Sequence, residues 1–339
     1  MAVPAVSIVV PIYNGGEHYP VCFESLCRLD YPPDRLEVHI IDDGSTDDTG
    51  AFLKAQQPPE HVHIHHLPAN IGRGAARNQG LQRATGEVVI FLDGDMEVLP
   101  NFVAAHVAEL AKPGREATVG AVQSADWVPS SKLNSYLYDY PRRGAQQFGR
   151  DRPIGFQYLI SGNMALSRAA VEGAGGQFES YTRYGGEDTL FAYRVARAFP
   201  NGIYYNEEAV SFHHQHQSLG AYLKLMTSYG RHNLPLIVTR HPELAAIMAA
   251  DFAWPLPGRY FRRKRTLGRF LFNRLTDLLA RALLLLTPKP LSHALVRFLS
   301  VTSVVRGLRR YVQEHRPQVP HPGLSRNSPT NPTTPPPAR

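Results

Sequence analysis

From Val6 to about His216 the apolar residues come in short unbroken runs: Val6–Val10, Val38–Ile41, Val88–Leu92, Ala117–Val122 and Ala209–Phe212. Helix-length stretches of mixed polarity separate them. Val- and Ile-rich runs of this length predict strands buried on both faces, and their alternation with helices predicts an α/β fold with a Rossmann-like, mostly parallel sheet flanked by helices. From about Leu219 the strand signal fades and the spacing turns helical, broken by Pro255, Pro257, Pro288 and Pro290. The last stretch is dominated by Pro, Ser, Thr and Asn and holds too little apolar surface to fold. The pattern divides the chain into a sheet domain at 1–218, a helical extension at 219–316 and a disordered tail at 317–339.

Length and composition alter this picture little. The chain has 339 residues, room for about two domains at ~150 residues each. Its two cysteines, Cys22 and Cys27, have no second pair to complete a zinc site, so they read as inert thiols of a reducing compartment. No basic, apolar leader opens the chain, and its most apolar later stretch, Leu278–Thr287, is interrupted by Arg281 and falls short of the ~20 residues of a membrane span. The expected location is therefore cytoplasmic. Charge changes the picture more. The formal net charge is +7, but residues 258–316 hold fourteen Lys and Arg against two acids, a segment charge of +12. The tail adds +2, which leaves residues 1–257 at −7. An acidic unit is joined to a basic one.

The acidic unit holds the candidate chemistry. The first strand ends in Pro11-Ile-Tyr13-Asn14, and ligands of open α/β sheets bind beyond the carboxyl ends of strands, so this loop is expected to wall a site. The second strand runs into Asp42-Asp43-Gly-Ser-Thr46, which is also consistent with a simple turn or helix cap. In Asn70-Ile-Gly-Arg73-Gly-Ala-Ala-Arg77-Asn, Gly72 and Gly74 permit close backbone approach to a ligand and the two arginines suit phosphates. The strand Val88–Leu92 empties into Asp93-Gly94-Asp95; if extended, this segment aims both carboxylates the same way, toward Mg²⁺ or Mn²⁺ held with a diphosphate. Further on, Tyr184-Gly-Gly-Glu187-Asp188 opens a helix marked by Phe191, Val195 and Phe199, with the two acids in its first turn.

This ordered set resembles the family-2 inverting glycosyltransferases of the GT-A fold over about residues 5–217. The resemblance implies that Asp43 holds the nucleotide base, that Asp93 and Asp95 form the DXD motif with Asp95 on the metal, and that Ile160-Ser-Gly162-Asn163-Met-Ala-Leu166 is an acceptor-side loop beside the donor sugar. It implies Asp188 as the catalytic base, with Glu187 orienting acceptor or sugar. A histidine after the last strand completes the metal shell in many GT-A enzymes; His213 is favoured here, with His214 and His216 left open. The implied reaction is hexosyltransferase-like transfer from a nucleotide-diphosphate sugar to a hydroxyl of a glycan or lipid-linked glycan, in cell-surface polysaccharide or glycolipid synthesis. The Gln-x-x-Arg-Trp motif and membrane spans of processive synthases are absent, which favours adding one or a few sugars. Inverting transfer needs a carboxylate to take the acceptor proton opposite the leaving diphosphate, whose charge a divalent cation neutralises.

Two rivals are a sugar nucleotidyltransferase and a non-catalytic sugar-nucleotide or glycan-binding protein of the same fold. The first wants a basic Gly-rich loop after the first strand, where Pro11–Glu17 has no Lys or Arg; the second has no need of base and metal carboxylates together. His61, His63 and His65 alternate along a strand and read as its solvated face. The segment Trp127–Tyr158, rich in aromatic and basic residues including Arg142, is expected to form an acceptor-facing or mobile flap. In the basic unit, Leu271, Leu275, Leu278, Ala282 and Leu286 make one helical stripe, and Phe298, Val301, Val305 and Leu308 a second. Arg-rich amphipathic helices of this kind predict that 258–316 lies on an anionic membrane surface, at the inner face, with packing on the protein as the alternative. No nucleic-acid-binding motif accompanies the charge.

Overall fold

A computed structural model describes residues 3–140 and 143–315. The tail at 317–339, with Arg316 and Arg142, lies outside the described residues. The eight strands are β1 (Val6–Ile12), β2 (Leu36–Asp42), β3 (Val62–His66), β4 (Val88–Leu92), β5 (Met96–Val98), β6 (Ala117–Ser124), β7 (Asn163–Ser167) and β8 (Ile203–His213). They form one sheet in the order β3-β2-β1-β4-β7-β6-β8-β5. The half from β3 to β4 is parallel, as the buried runs predict. The other half is mixed: β7 runs antiparallel to both β4 and β6, while β6 and β8 are parallel. The sequence reading missed β7. It took Ile160–Leu166 for a loop, whereas Asn163–Ser167 is an interior strand.

Helices α1 (Tyr19–Cys27), α2 (Thr49–Ala55), α3 (Arg73–Leu81), α4 (Phe102–Leu110), the single turn α5 (Lys132–Asn134), α6 (Arg168–Gly173) and α7 (Glu187–Ala198) complete the sheet unit. Alternate residues of the central strands feed two cores. Ile8, Val10, Val38 and Ile90 pack with Tyr19, Phe23 and Phe102, and Val9, Val89 and Phe91 pack with Phe178, Phe191 and Val195. Phe191 stacks on Phe178 at 4.3 Å and meets Phe91 edge-on, which clamps α7 to β4.

Helices α8 (Leu219–His232), α9 (Leu234–Arg240), α10 (Arg259–Leu271), α11 (Arg274–Leu286) and α12 (Lys289–Glu314) follow. Two glycines let α8 and α12 touch backbone to backbone. A Cβ at Gly230 would lie 2.1 Å from the Val304 carbonyl oxygen, and one at Gly307 would lie 2.2 Å from that of Thr227. The two apolar stripes of the basic unit part company here. Val305 and Leu308 on α12 are fully buried, with Phe298 and Val301 packed beside them, so the second stripe is core and not a membrane face. The first stripe, Leu271, Leu275, Leu278, Ala282 and Leu286, is exposed throughout.

Candidate active site

Strands β1 and β4 are neighbours, and the connection after β1 leads to β2 on one side while that after β4 leads to β5 at the far edge on the other, which opens a crevice at their carboxyl ends. Asn14, at φ 53°, ties the loops after β1 and β2 together: its Oδ1 accepts from the Thr46 amide at 2.8 Å and its own amide donates to Ser45 Oγ at 3.0 Å. Tyr13 projects into solvent beside it, and Pro11 is buried. Asp43 is buried, and its two oxygens accept from the Ile71 and Gly72 amides at 2.8 and 3.0 Å. Burial raises its carboxyl above the usual range despite those amides. Asp43 therefore orders the 70–72 loop. The glycines of that loop approach the chain itself: a Cβ at Gly72 would stand 2.9 Å from the Tyr181 carbonyl oxygen, and one at Gly74 would stand 2.3 Å from that of Glu179.

The Asp93-Gly94-Asp95 segment departs from the extended reading. It is a turn, closed by the Met96 amide on the Asp93 carbonyl at 3.1 Å, and the two carboxylates part. Gly94 is required because a Cβ there would come within 2.6 Å of Ile12 Cδ1 and 2.9 Å of the Pro11 oxygen. Asp93 accepts from Arg77 Nη2 at 2.6 Å, and the other arm of the same guanidinium reaches Glu187 at 3.3 Å. Burial favours the neutral form of Asp93, but the Arg77 and Arg73 guanidiniums outweigh it and hold the carboxyl low. Arg77 and Glu187 are both nearly sealed from solvent. Arg77 is thus a positioning residue and not a phosphate ligand, and Glu187 faces Arg77 and not an acceptor. Arg73 remains half-exposed, over the Tyr184 ring at 4.9 Å and with its Nε 3.9 Å from Glu187.

Asp95 meets His213, with Oδ2 at 3.1 Å from Nε2. His213 Nδ1 lies 2.5 Å from the Tyr138 hydroxyl, which burial keeps a neutral phenol; with the ring proton on Nδ1 donated to that oxygen, the Nε2 lone pair is free for a cation beside Asp95. Asp95 Oδ1 is buried without a partner. A carboxylate oxygen without a partner beside an imidazole nitrogen is a fitting donor pair for Mn²⁺ or Mg²⁺. Among the described residues no group of three or more His, Cys, Asp or Glu forms a metal cluster, so a cation held here would have two protein donors. The three histidines are separated clearly. His214 accepts from Trp127 Nε1 at 2.9 Å and meets Glu97 at 2.7 Å, and His216 is exposed.

Asp188 stands half-buried at the start of α7, one residue after Glu187, its Oδ1 accepting from the Thr189 amide at 2.7 Å. Burial, then the neighbouring Glu187 charge, push its carboxyl up to about 6. The loop before it is held from outside the sheet unit. Asn233, between α8 and α9, directs Nδ2 at the carbonyls of Arg183, Tyr184 and Gly185 at 2.9, 3.1 and 2.7 Å. Gly186, at φ 98°, has no room for a side chain against Ile237 and Tyr229. Sequence reasoning missed Asn233 and Tyr138. Pro235 signals the break between α8 and α9, but nothing local says what an asparagine at that break will touch.

Two further expectations change. Gly162 borders the site: a Cβ there would lie 3.1 Å from Asp93 Oδ2. Asn163 does not, because it is fully buried in the sheet, bonded to His106, Ser211 and the Ala209 carbonyl at 2.9, 2.9 and 3.0 Å. Part of the Trp127–Tyr158 segment packs on α12: Tyr140 lies 4.5 Å from the His293 ring, and Ser135 bonds the same histidine at 2.9 Å.

The chain is similar to solved and curated proteins. The mannosyltransferase PcManGT from Pyrobaculum calidifontis, in complex with GDP-Man and Mn²⁺, superposes with a TM-score of 0.55 at 21% identity, over 89% of this chain and 87% of that one. The Escherichia coli K12 glycosyltransferase YibD is 43% identical over 96 residues, 28% of this chain and 27% of the relative. An undecaprenyl-phosphate 4-deoxy-4-formamido-L-arabinose transferase of Pectobacterium carotovorum is 36% identical over 124 residues, 35% of this chain and 37% of the relative. The chain thus spans well under half the length of these two curated relatives. Residues 7–174, which carry the loops after β1, β2 and β4, match Glycosyl transferase family 2, and with the GT-A-like sheet around them the chain belongs to that family.

Proposed function

We propose that the chain is a metal-dependent, inverting glycosyltransferase that moves a sugar, hexosyltransferase-like, from a nucleotide-diphosphate donor to a hydroxyl acceptor without processive elongation. The observation that carries this reading is Asp188: a carboxylate with a pKa of about 6 at the start of α7, in electrostatic contact with Asp93 of the DXD turn. A base must be ionised at the working pH yet basic enough to take a hydroxyl proton, and a carboxyl lifted by burial meets both demands. The loops at the ends of β1 and β2, ordered by Asn14 and Asp43, hold the nucleoside, and Arg73 faces the diphosphate. Asp95 and His213 would hold the Mn²⁺ or Mg²⁺, which supplies charge neutralisation at the departing diphosphate. Arg77 keeps Asp93 ionised and in place, so the DXD turn is formed before the donor arrives.

The acceptor is proposed as a glycan or lipid-linked glycan of cell-surface polysaccharide or glycolipid synthesis. This is consistent with the undecaprenyl-phosphate named for one relative. The place of work is the inner face of the membrane; among the described residues no helix is long and apolar enough to cross one. The test pairs two measurements. Asp188→Asn is expected to lower kcat by about 10²–10⁴-fold while nucleotide-sugar binding by calorimetry stays unchanged. Proton NMR of the nascent product is expected to show the anomeric configuration opposite to the donor. Retained configuration, or an Asn variant that turns over normally, would overturn the assignment.

A further inference from the structure

The outer surface of α10 and α11 inverts the usual arrangement of a helix pair on a globular protein. Ala280 and Leu284 face inward, into the cluster with Tyr222, Leu223 and Leu299, so the packing needs of α11 are met. Yet Phe270, Leu275, Leu278, Leu285, Leu286 and Leu291 are between 63% and 85% exposed. A contiguous apolar face of this kind marks an interaction site. Beside it, at the start of α10, Arg259, Arg262 and Arg263 line an open groove of about 590 Å³ with Thr266, Leu267 and Phe270. No acid lines that groove, whereas Lys264, one residue on, is paired with Asp251 at 2.6 Å.

We infer that α10 and α11 form a phospholipid-binding surface: the groove takes the phosphates of anionic lipids, and the leucine face sinks into the acyl boundary beside them. The chemistry favours this occupant over others. Three guanidiniums without carboxylate partners among the described residues, next to a leucine surface, match a phosphate that carries apolar tails. A second copy docking the same face would bring two +12 segments together, a like-charge contact that opposes pairing. A nucleic acid would leave the leucines without a partner. The helices lie on the bilayer and do not enter it as a span.

The face is also tied to the site. Lys132 donates to the carbonyls of Leu284 and Leu285 at the end of α11, and Lys289 donates to Ser130 at 2.5 Å. The same segment continues to Tyr138, whose hydroxyl meets His213. A docked α11 therefore braces the wall of the metal site. This deepens the membrane location proposed above and rests on it only for the acceptor's source; the binding surface stands on its own residues.

The experiment uses the full chain and sedimentation with two kinds of vesicle, phosphatidylcholine alone and phosphatidylcholine mixed with phosphatidylglycerol. Wild type is expected to pellet with the mixed vesicles only, and added salt is expected to release part of it. Arg259→Glu/Arg262→Glu/Arg263→Glu should lower the partition coefficient by about a hundredfold or more, each lost cation being worth roughly fivefold at an anionic surface. Leu278→Asp/Leu285→Asp should abolish the salt-resistant fraction. These side chains point outward, so thermal unfolding by circular dichroism is expected to be unchanged, and if the leucine variant fails to fold the arginine variant carries the test. Equal binding to both vesicles, binding to neither, or an arginine variant that partitions like wild type would overturn the inference. So would a leucine variant that converts a wild-type dimer to monomer without altering sedimentation. Nucleotide-sugar affinity is measured on the same samples; intact affinity with lost vesicle binding leaves the proposed transferase standing, and lost affinity in wild type removes the transferase while leaving the lipid result.

Discussion

The end of the sheet and the outer face of α10–α11 depart from ordinary protein anatomy in opposite directions. The first buries charge: Arg77, Asp93 and Glu187 are drawn out of water and satisfied by one another. The second leaves leucines in water with nothing against them. Each departure costs stability, one through desolvation and the other through unburied apolar area. A fold keeps such features where a partner completes them. The comparison separates the two, because the charged site is preformed by its own residues and the leucine face is left uncovered among the described residues, for the proposed lipid surface to complete.

Breaking the charged region should have the largest effect on the fold. Arg77→Met leaves the buried Glu187 and the half-buried Asp93 with only the more distant Arg73 guanidinium, and is expected to cost about 3 kcal/mol in chemical unfolding. If the loss is below ~1 kcal/mol, the network is not the internal support described here. The next effect is on pH. Asp188 must be ionised to act, so kcat/KM should rise with pH through about 6 and level above it. The linkage has the opposite sign for stability. A carboxyl raised in the folded state opposes folding above its folded pKa, and that opposition fades as pH falls below it. Asp188→Asn should therefore raise Tm at pH 7.5, with the gain vanishing toward pH 4.

A smaller effect should follow from cutting the clamp that α8 and α9 place on the charged region, at the loop before Asp188. Asn233→Ala removes the donors that hold the loop before Asp188, and about 1–2 kcal/mol of lost positioning predicts a fall in kcat of roughly tenfold. Donor affinity should stay near wild type, since Asn233 touches only the Arg183, Tyr184 and Gly185 carbonyls. A variant with unchanged kcat, or one whose loss is all in donor affinity, would mean that the clamp is structural.

The central strands and α7 were legible because their residues answer to local rules. A run such as Val88–Leu92 can be buried on both faces only inside a sheet, and Phe191 with Val195 marks one face of a helix. The candidate acids were legible because each stands at a strand or helix end. Their contacts were not. Asp93 and Asp95 look equivalent in the sequence, but the turn at Gly94 sends one to Arg77 and the other to His213. The resemblance alone makes Asn163 part of an acceptor-side loop, whereas its burial depends on β4 and β6 closing around it. The two C-terminal stripes have the same spacing, and only the packing of α12 against α8 shows that one is core.

The sequence by itself determined the α/β class, the order of the motifs, the family they resemble and the division of charge at residue 258, because these depend on residue type, period and spacing. The tertiary structure alone decided which arginine is sealed and which is open, which of three histidines meets Asp95, and which apolar stripe remains uncovered. Those are relations between positions far apart in the chain. Arg77 and Glu187 are joined by burial, His213 and Asp95 by the meeting of a strand end with a turn, and Asn233 and Gly185 by helices packed across the sheet unit. No local pattern encodes such distances, because they follow from how the whole sheet twists and what then lies against it.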